Sequence, residues 1–307
     1  MNQPRIRLVT RGDDAGSCRS ANLAILEAAE KGILRNVSVM VPGPAFREAA
    51  RMLAGRQDIC VGLHVTLTAE WDSPKWGPVL PPEKAPSLVD SEGRFFNTPM
   101  ILHQRKASAD EMMAEIQAQL DLARSCGMEV MGHLRGVVRQ ASRLSGRRPG
   151  ANSTGETPVV PVTDPLRMEI SYIDEHMGVG WVGGLQERIS ELARREGLVD
   201  SRLAVAGLPR VEGHFDDRGT ELIARLAAAP PGTYLYVTHP GCDAADMRQF
   251  IHAGLKPGQV ARERDADRRV WFDPKVLDYC RRNGVRPIRY TEISSGPAPA
   301  PGRSPRA

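Results

Sequence analysis

Two adjacent acids, Asp13 and Asp14, follow the short apolar run of residues 6–9 and sit between glycines at 12 and 16. Neighbouring carboxylates repel, and an acid pair after a strand is ordinarily a solvated turn. Further along, His64 lies in VGLHVTL, the triplet Asp174, Glu175 and His176 follows EISYI, and His239 follows LYVT directly before Pro240 and Gly241. A histidine within a strand, as at His64, is ordinarily a satisfied core residue. The joint pattern is more informative, because acids and histidines recur after four apolar runs that read as strands. In parallel α/β folds the groups at the carboxyl ends of strands converge on one face. One carboxylate and two neutral imidazoles there would make an open site for a divalent cation, with positions left for water and substrate. A bound ion would neutralise one acid of the pair and let the other stay ionised beside it as a base.

The elements that must position these groups alternate from the start. IRLVT reads as a buried strand and SANLAILEAAEKGI as a helix, with Leu23, Leu26 and Ala29 on its apolar side and Gly32 as its stop. NVSVMV is a strand, AFREAARMLAG a helix and ICVGLHVTLT a strand rich in β-branched residues. That order predicts a parallel sheet with crossover helices. Residues 71–99 are proline-rich and aperiodic, and they carry Trp71 and Trp76, either of which would stack on a sugar or anchor the loop. A strong amphipathic helix follows over 108–126, opened by a capping-box pair, Ser108 and Glu111. The pattern breaks at 143–165, which is basic and then rich in Gly, Pro and Thr, and resumes with the strand MEISYID. The helices GLQERISELARREG, DRGTELIARLAAA and DPKVLDYCRRNG and the strands TYLYVTH and RPIRY complete the alternation.

Composition narrows the function classes. With 307 residues, 41% apolar and 25% charged, the chain has the make-up of a soluble globular enzyme. A net charge of +4 and only 5% aromatics, with no basic stripe, speak against nucleic acid as a partner. No apolar run is long enough for a membrane span, and the first ten residues have no signal-peptide core. Five scattered cysteines without a CxxC spacing fit reduced thiols, so a cytoplasmic location is expected.

The segments RGDDAG, NVSVMVPGPAF, VGLHVTLT, PSLVDSEGRFF, YIDEHMG, YVTHPG and RERDADRRVWFDP together resemble the successive motifs of the YdjC-like carbohydrate deacetylases. The resemblance runs from about residue 5 to 293 and implies an irregular (β/α) barrel, TIM-barrel-like, related in logic to the polysaccharide deacetylases. It implies that Asp14, His64 and His176 bind one divalent metal ion, Mg or Zn, that Asp13 is the base and that His239 is the acid. Arg264 would contact substrate, with Trp71 as a further sugar contact. The expected activity is removal of an N-acetyl group from an acetylated amino sugar or oligosaccharide. The ion would activate the attacking water and polarise the amide carbonyl, Asp13 would take the water proton, and His239 would protonate the departing amine. Two departures stand out. Arg11-Gly12 replaces the usual Asn-Ala before the acid pair, and Met177-Gly178 follows the third ligand where histidines are common; both are read as changes of pocket lining. The alternatives are a catalytically impaired sugar-binding protein of the same fold and a metal hydrolase of another bond. A homodimer is left open, as is any role for His214.

One ambiguity is internal. GMEVMGHLRGVV and RMEISYIDEHMG both place Met-Glu and a β-branched residue before a histidine, so His133 competes with His176 for the third ligand. The second copy is preferred because Asp174 stands two residues before its histidine, as an outer partner for that ligand, and because a proper helix follows. Residues 1–293 are therefore expected to form one domain, interrupted by a poorly ordered surface insertion at about 128–167 and followed by a disordered tail, 294–307.

Overall fold

In the computed structural model, which describes residues 4–144 and 168–293, the chain builds one eight-stranded sheet in which every pairing is parallel. The elements in chain order are β1 (Ile6–Ala15), α1 (Arg19–Lys31), β2 (Asn36–Val39), α2 (Phe46–Leu53), β3 (Cys60–Val65), α3 (Pro99–Gln104), α4 (Ala109–Leu144) and β4 (Ile170–Glu175). There follow α5 (Leu185–Glu196), β5 (Val199–Asp200), α6 (Ser201–Ala204), β6 (Ala206–Gly207), α7 (Arg218–Ala228), β7 (Gly232–Thr238), α8 (Gln259–Arg269), α9 (Pro274–Arg282) and β8 (Val285–Ile288). The strand order is β5-β4-β3-β2-β1-β7-β6, with helices packed around the outside. The architecture is α/β, an irregular and open (β/α) barrel. Its curl is visible in one side chain: Arg11 on β1 comes within 3.4 Å of Ser201, just past β5, four strands away along the sheet.

One edge of β1 is shared. Its residues 6–9 pair with β8, and residues 11–15 pair with β2. Asn36 closes the fork: its amide donates to Thr10 and Ile288 carbonyls at 2.9 Å each and accepts from the Tyr290 amide. Close packing inside the curl also depends on Gly62 in β3, where a Cβ would stand 2.3 Å from the Tyr172 ring.

The expected strands and helices form, with instructive shifts. Helix α1 buries Ala21, Ala24, Ile25 and Ala28, while Leu23 is exposed, because small side chains let the helix approach its neighbours closely. The apolar side expected through Leu23 is therefore one position out of phase. Ser108 does accept the Glu111 amide, but Glu111 turns away to the backbone and hydroxyl of Ser87, whose oxygen in turn accepts the Ser108 amide. Helix α4 does not stop at 126 but continues to Leu144. Met128, Met131 and Leu134 keep helical spacing, and an isolated glycine such as Gly127 weakens a helix without ending it. The first Met-Glu copy is thus helical, and the strand β4 is formed by the second. Part of the expected insertion therefore lies on α4; the remainder, 145–167, and the tail from 294 lie outside the described residues. Helix α8 goes unread in the sequence, because RERDADRR has almost no apolar period.

The long proline-rich segment is tied down from within. The Trp76 indole is buried and donates to the Thr68 carbonyl at 3.0 Å. Glu115 on α4 accepts the Val79 and Leu80 amides, and Gln119 brackets Thr66. Trp76 is therefore an anchor. Trp71 lies edge-on to Phe250 at 5.6 Å.

Candidate metal centre

The acid pair sits where β1 is irregular. Between Gly12 and Ala15 the register with β2 shifts, so three steps on β1 oppose two on β2. Such a bulge re-aims side chains. Asp14 itself has φ 68, a left-handed conformation that costs a non-glycine residue and is concentrated at functional sites. Gly16, at φ 97, follows with its Cα against the Met40 carbonyl, where a Cβ would come within 2.7 Å. These distortions send the two carboxylates to different partners.

Asp14 turns to the histidines. Its Oδ1 lies 3.4 Å from His64 Nε2 and 3.4 Å from His176 Nδ1, and those two nitrogens are 3.2 Å apart. All three residues are buried, and Asp14 Oδ1 has no hydrogen-bond partner. Atoms held about 2.0–2.1 Å from one ion, tetrahedrally or octahedrally, stand about 2.8–3.4 Å apart. The donor set, the triangle of distances and the orphaned oxygen therefore fit one divalent cation. Each imidazole also faces a carboxylate with its other nitrogen: His64 Nδ1 lies 3.1 Å from Asp174 and His176 Nε2 lies 2.8 Å from Glu70. Outer carboxylates of this kind orient metal-binding histidines and raise their basicity.

Asp174 thus serves a different histidine from the one its sequence position suggests. Parallel pairing of β3 with β4 sets His64 opposite Asp174, and register overrides sequence proximity. The partner of His176 is Glu70, on the segment after β3. Sequence reading missed it, since LTAEW carries no motif beyond the acid itself.

Asp13 turns the other way, onto Arg11. The guanidinium grips both its oxygens, Nε to Oδ1 at 2.7 Å and Nη2 to Oδ2 at 2.8 Å. Arg11 is consequently no pocket lining but a buried ion-pair partner; on β1, residues two apart lie on the same side of the strand. His239 stands one step beyond Thr238, which pairs with Gly12, so it is level with Asp13. Its amide donates to Asp267 at 3.0 Å and its side chain is exposed. Arg264, on α8, contacts Asp14 Oδ2 at 2.7 Å and leaves Nη1 without a hydrogen-bond partner. Its guanidinium lies 5.6 Å from the centre of the Trp71 ring. His214 is exposed on the loop before α7, and the side chain of His133 lies outside the described residues.

The electrostatics follow. Burial raises the Asp14 carboxyl, but Arg264 and the two histidines outweigh it and hold it well below the usual range. Asp13 is lowered in the same way, with Arg11 opposing burial. Burial disfavours imidazolium, yet Glu70 and Asp14 push His176 up to about 9, and Asp174 and Asp13 hold His64 well above its ordinary value. The pocket draws positive charge to the point where the three ligand atoms meet.

Fold and site together define a parallel (β/α) barrel with a buried Asp-His-His cluster at the carboxyl ends of its strands. Residues 7–134 match the YdjC-like protein family. It is 35% identical over 133 residues to a human carbohydrate deacetylase, covering 43% of this chain and 39% of that one. A carbohydrate deacetylase of Thermoanaerobacter pseudethanolicus is 32% identical over 123 residues, 40% of this chain and 47% of that one. The chain thus matches less than half the length of these relatives. In fold it resembles a crystal structure from Enterococcus faecalis V583, described as a candidate cellobiose-phosphate cleavage protein. The TM-score is 0.65 at 20% identity, over 95% of this chain and 99% of that one. His176, His239 and Arg264 lie beyond the family match.

Proposed function

We propose that the protein is a metal-dependent hydrolase that removes the N-acetyl group from an acetylated amino sugar or oligosaccharide. The observation that carries the metal is the buried triangle of Asp14, His64 and His176 around an oxygen without a hydrogen-bond partner. The substrate class is drawn from the carbohydrate deacetylases that match the N-terminal part of the chain. When bound, a divalent ion polarises a carbonyl and brings the pKa of water to about 7.

The chain's own residues divide the remaining work. Asp13, kept ionised by Arg11, accepts the proton of the attacking water. His239, level with Asp13 on the neighbouring strand, delivers a proton to the departing amine; acid–base steps of this kind contribute about 10²–10⁴-fold each. Arg264 has donor capacity left at Nη1 for a substrate oxygen, and Trp71, its ring centre 5.6 Å from that guanidinium, is the aromatic side chain beside it for a sugar to meet. Asp174 and Glu70 hold the two imidazoles in orientation.

The competing reading is a sugar-binding protein without turnover. The bidentate Arg11 pair favours it, since Asp13 is already fully partnered. Acetate release from a panel of acetylated amino sugars, with and without chelator, separates the two. Release that chelator abolishes and added metal restores supports the hydrolase; binding of the sugars with no release at any metal loading would sink it.

A further inference from the structure

Beside the proposed metal centre lies a second group of buried ligand atoms, contributed by Asp13, His64 and Asp174. The two groups share His64, Nε2 facing Asp14 and Nδ1 facing Asp174. By residue type alone, this is a two-metal site with a bridging imidazole. The second group even has capacity to spare: Asp174 Oδ1 is buried without a hydrogen-bond partner.

What distinguishes the two groups is Arg11. Its guanidinium binds Asp13 through two atoms, at 2.7 and 2.8 Å, and its Nη2 also stands 3.0 Å from Asp174 Oδ2. The remaining nitrogen, Nη1, lies 3.3 Å from the Tyr290 hydroxyl and 3.4 Å from Ser201 Oγ. The side chain is thus seated on every side, with a planar fork matched to its carboxylate. Ser38 also donates to Asp174 Oδ2, at 3.1 Å. A dication among these atoms would meet a fixed positive charge at close range in a poorly screened interior. Arg264, by contrast, meets Asp14 at Oδ2 and leaves Oδ1 open between the histidines.

We infer that Arg11 is the resident cation of the Asp13–His64–Asp174 cluster. It makes the centre take one metal ion instead of two and keeps Asp13 off the metal. This builds on the metal reading above, because it concerns the cluster next to that site, but it makes its own claim about stoichiometry.

The test is metal stoichiometry, read by calorimetric titration and elemental analysis on chelator-stripped protein with Zn²⁺ and with Mn²⁺. Arg11→Gln removes the charge and should take up one ion per chain more than the wild type. Arg11→Lys keeps the charge and should match the wild type. Equal stoichiometry in Arg11→Gln and wild type overturns the inference, as does a wild type that already binds two ions. If Arg11→Gln does not fold without metal, it is refolded in Zn²⁺. Recovery of folded chain carrying the extra ion supports the inference, and failure to recover it overturns it. The two readings fail separately. A wild type that binds no ion, with a gain in Arg11→Gln, removes the Asp14–His64–His176 site and leaves this inference standing; one ion in both proteins does the reverse.

Discussion

At the residue scale, one bulged turn separates two chemically identical neighbours. Asp14, in a left-handed conformation, faces two imidazoles, and Asp13 faces a guanidinium. Their substitutions should therefore diverge. Asp14→Asn should lose most of its bound divalent ion, whereas Asp13→Asn should retain the ion and lose the chemical step by about 10²–10⁴-fold. Metal analysis alongside acetate release checks both, and metal loss in Asp13→Asn with Asp14→Asn unaffected would reverse the assignment. Glu70 gives a finer probe. Its carboxylate lies 2.8 Å from His176 Nε2, so Glu70→Gln should weaken metal affinity by about 10–100-fold without unfolding the chain. An unchanged affinity would remove Glu70 from the site.

At the element scale, the sheet supplies the positions and the long helix α4 (Ala109–Leu144) holds the loop above them. Glu115 is buried and accepts two loop amides, at 2.9 and 3.0 Å. Glu115→Ala would leave both without an acceptor, at a cost of about 2–3 kcal/mol. Denaturant unfolding should show that loss, together with faster proteolysis within 71–98; a variant as stable as the wild type would contradict the anchoring role. Helix α7 (Arg218–Ala228) offers a pH test. Asp217 caps it through the Thr220 amide and pairs with Lys275, and these partners lower its pKa to about 2. A depressed carboxylate stabilises the fold above its unfolded value, about 3.9, and loses that contribution as pH falls towards 2. Asp217→Ala should therefore cost about 1 kcal/mol at pH 7 and progressively less between pH 4 and 2. A difference that stays constant over that window would rule out the ionised cap.

At the scale of the whole molecule, the curl of the sheet concentrates charge. Asp13, Asp14, Asp174 and Glu70 face Arg11 and Arg264 around two histidines, all within one mouth of the barrel. Two guanidinium charges against four carboxylates leave room for a dication if the imidazoles stay neutral. Metal should therefore stabilise the folded chain as a ligand does. At about 100 times its dissociation constant, an ion adds about 2.7 kcal/mol, which for a chain of this size is a melting shift of about 5 °C. Melting curves in chelator and then in Mg²⁺, Mn²⁺ and Zn²⁺ measure it; identical melting in all four would count against a metal centre coupled to the fold. No helix among the described residues is long and apolar enough to cross a membrane.

Much of this was legible before any coordinates. Apolar runs alternating with helical periods dictate a parallel sheet, and parallel pairing brings the carboxyl ends of β1, β3, β4 and β7 to one side. Asp13, Asp14, His64, His176 and His239 could therefore be named from local pattern alone. That the second Met-Glu copy, not the first, forms a strand was legible too, because only the second leads directly into a fresh helix. Partnership was not legible. Which histidine Asp174 serves is set by the His64–Asp174 register between strands more than a hundred residues apart. Glu70 reaches His176 because a loop folds back over the sheet. Arg11 read as lining, since nothing in RGDD says which way a bulge will turn. Residue types and their periods are carried locally by the backbone's repeat; which charges meet depends on register, bulge and curl, and these exist only once the whole sheet has curled around its core.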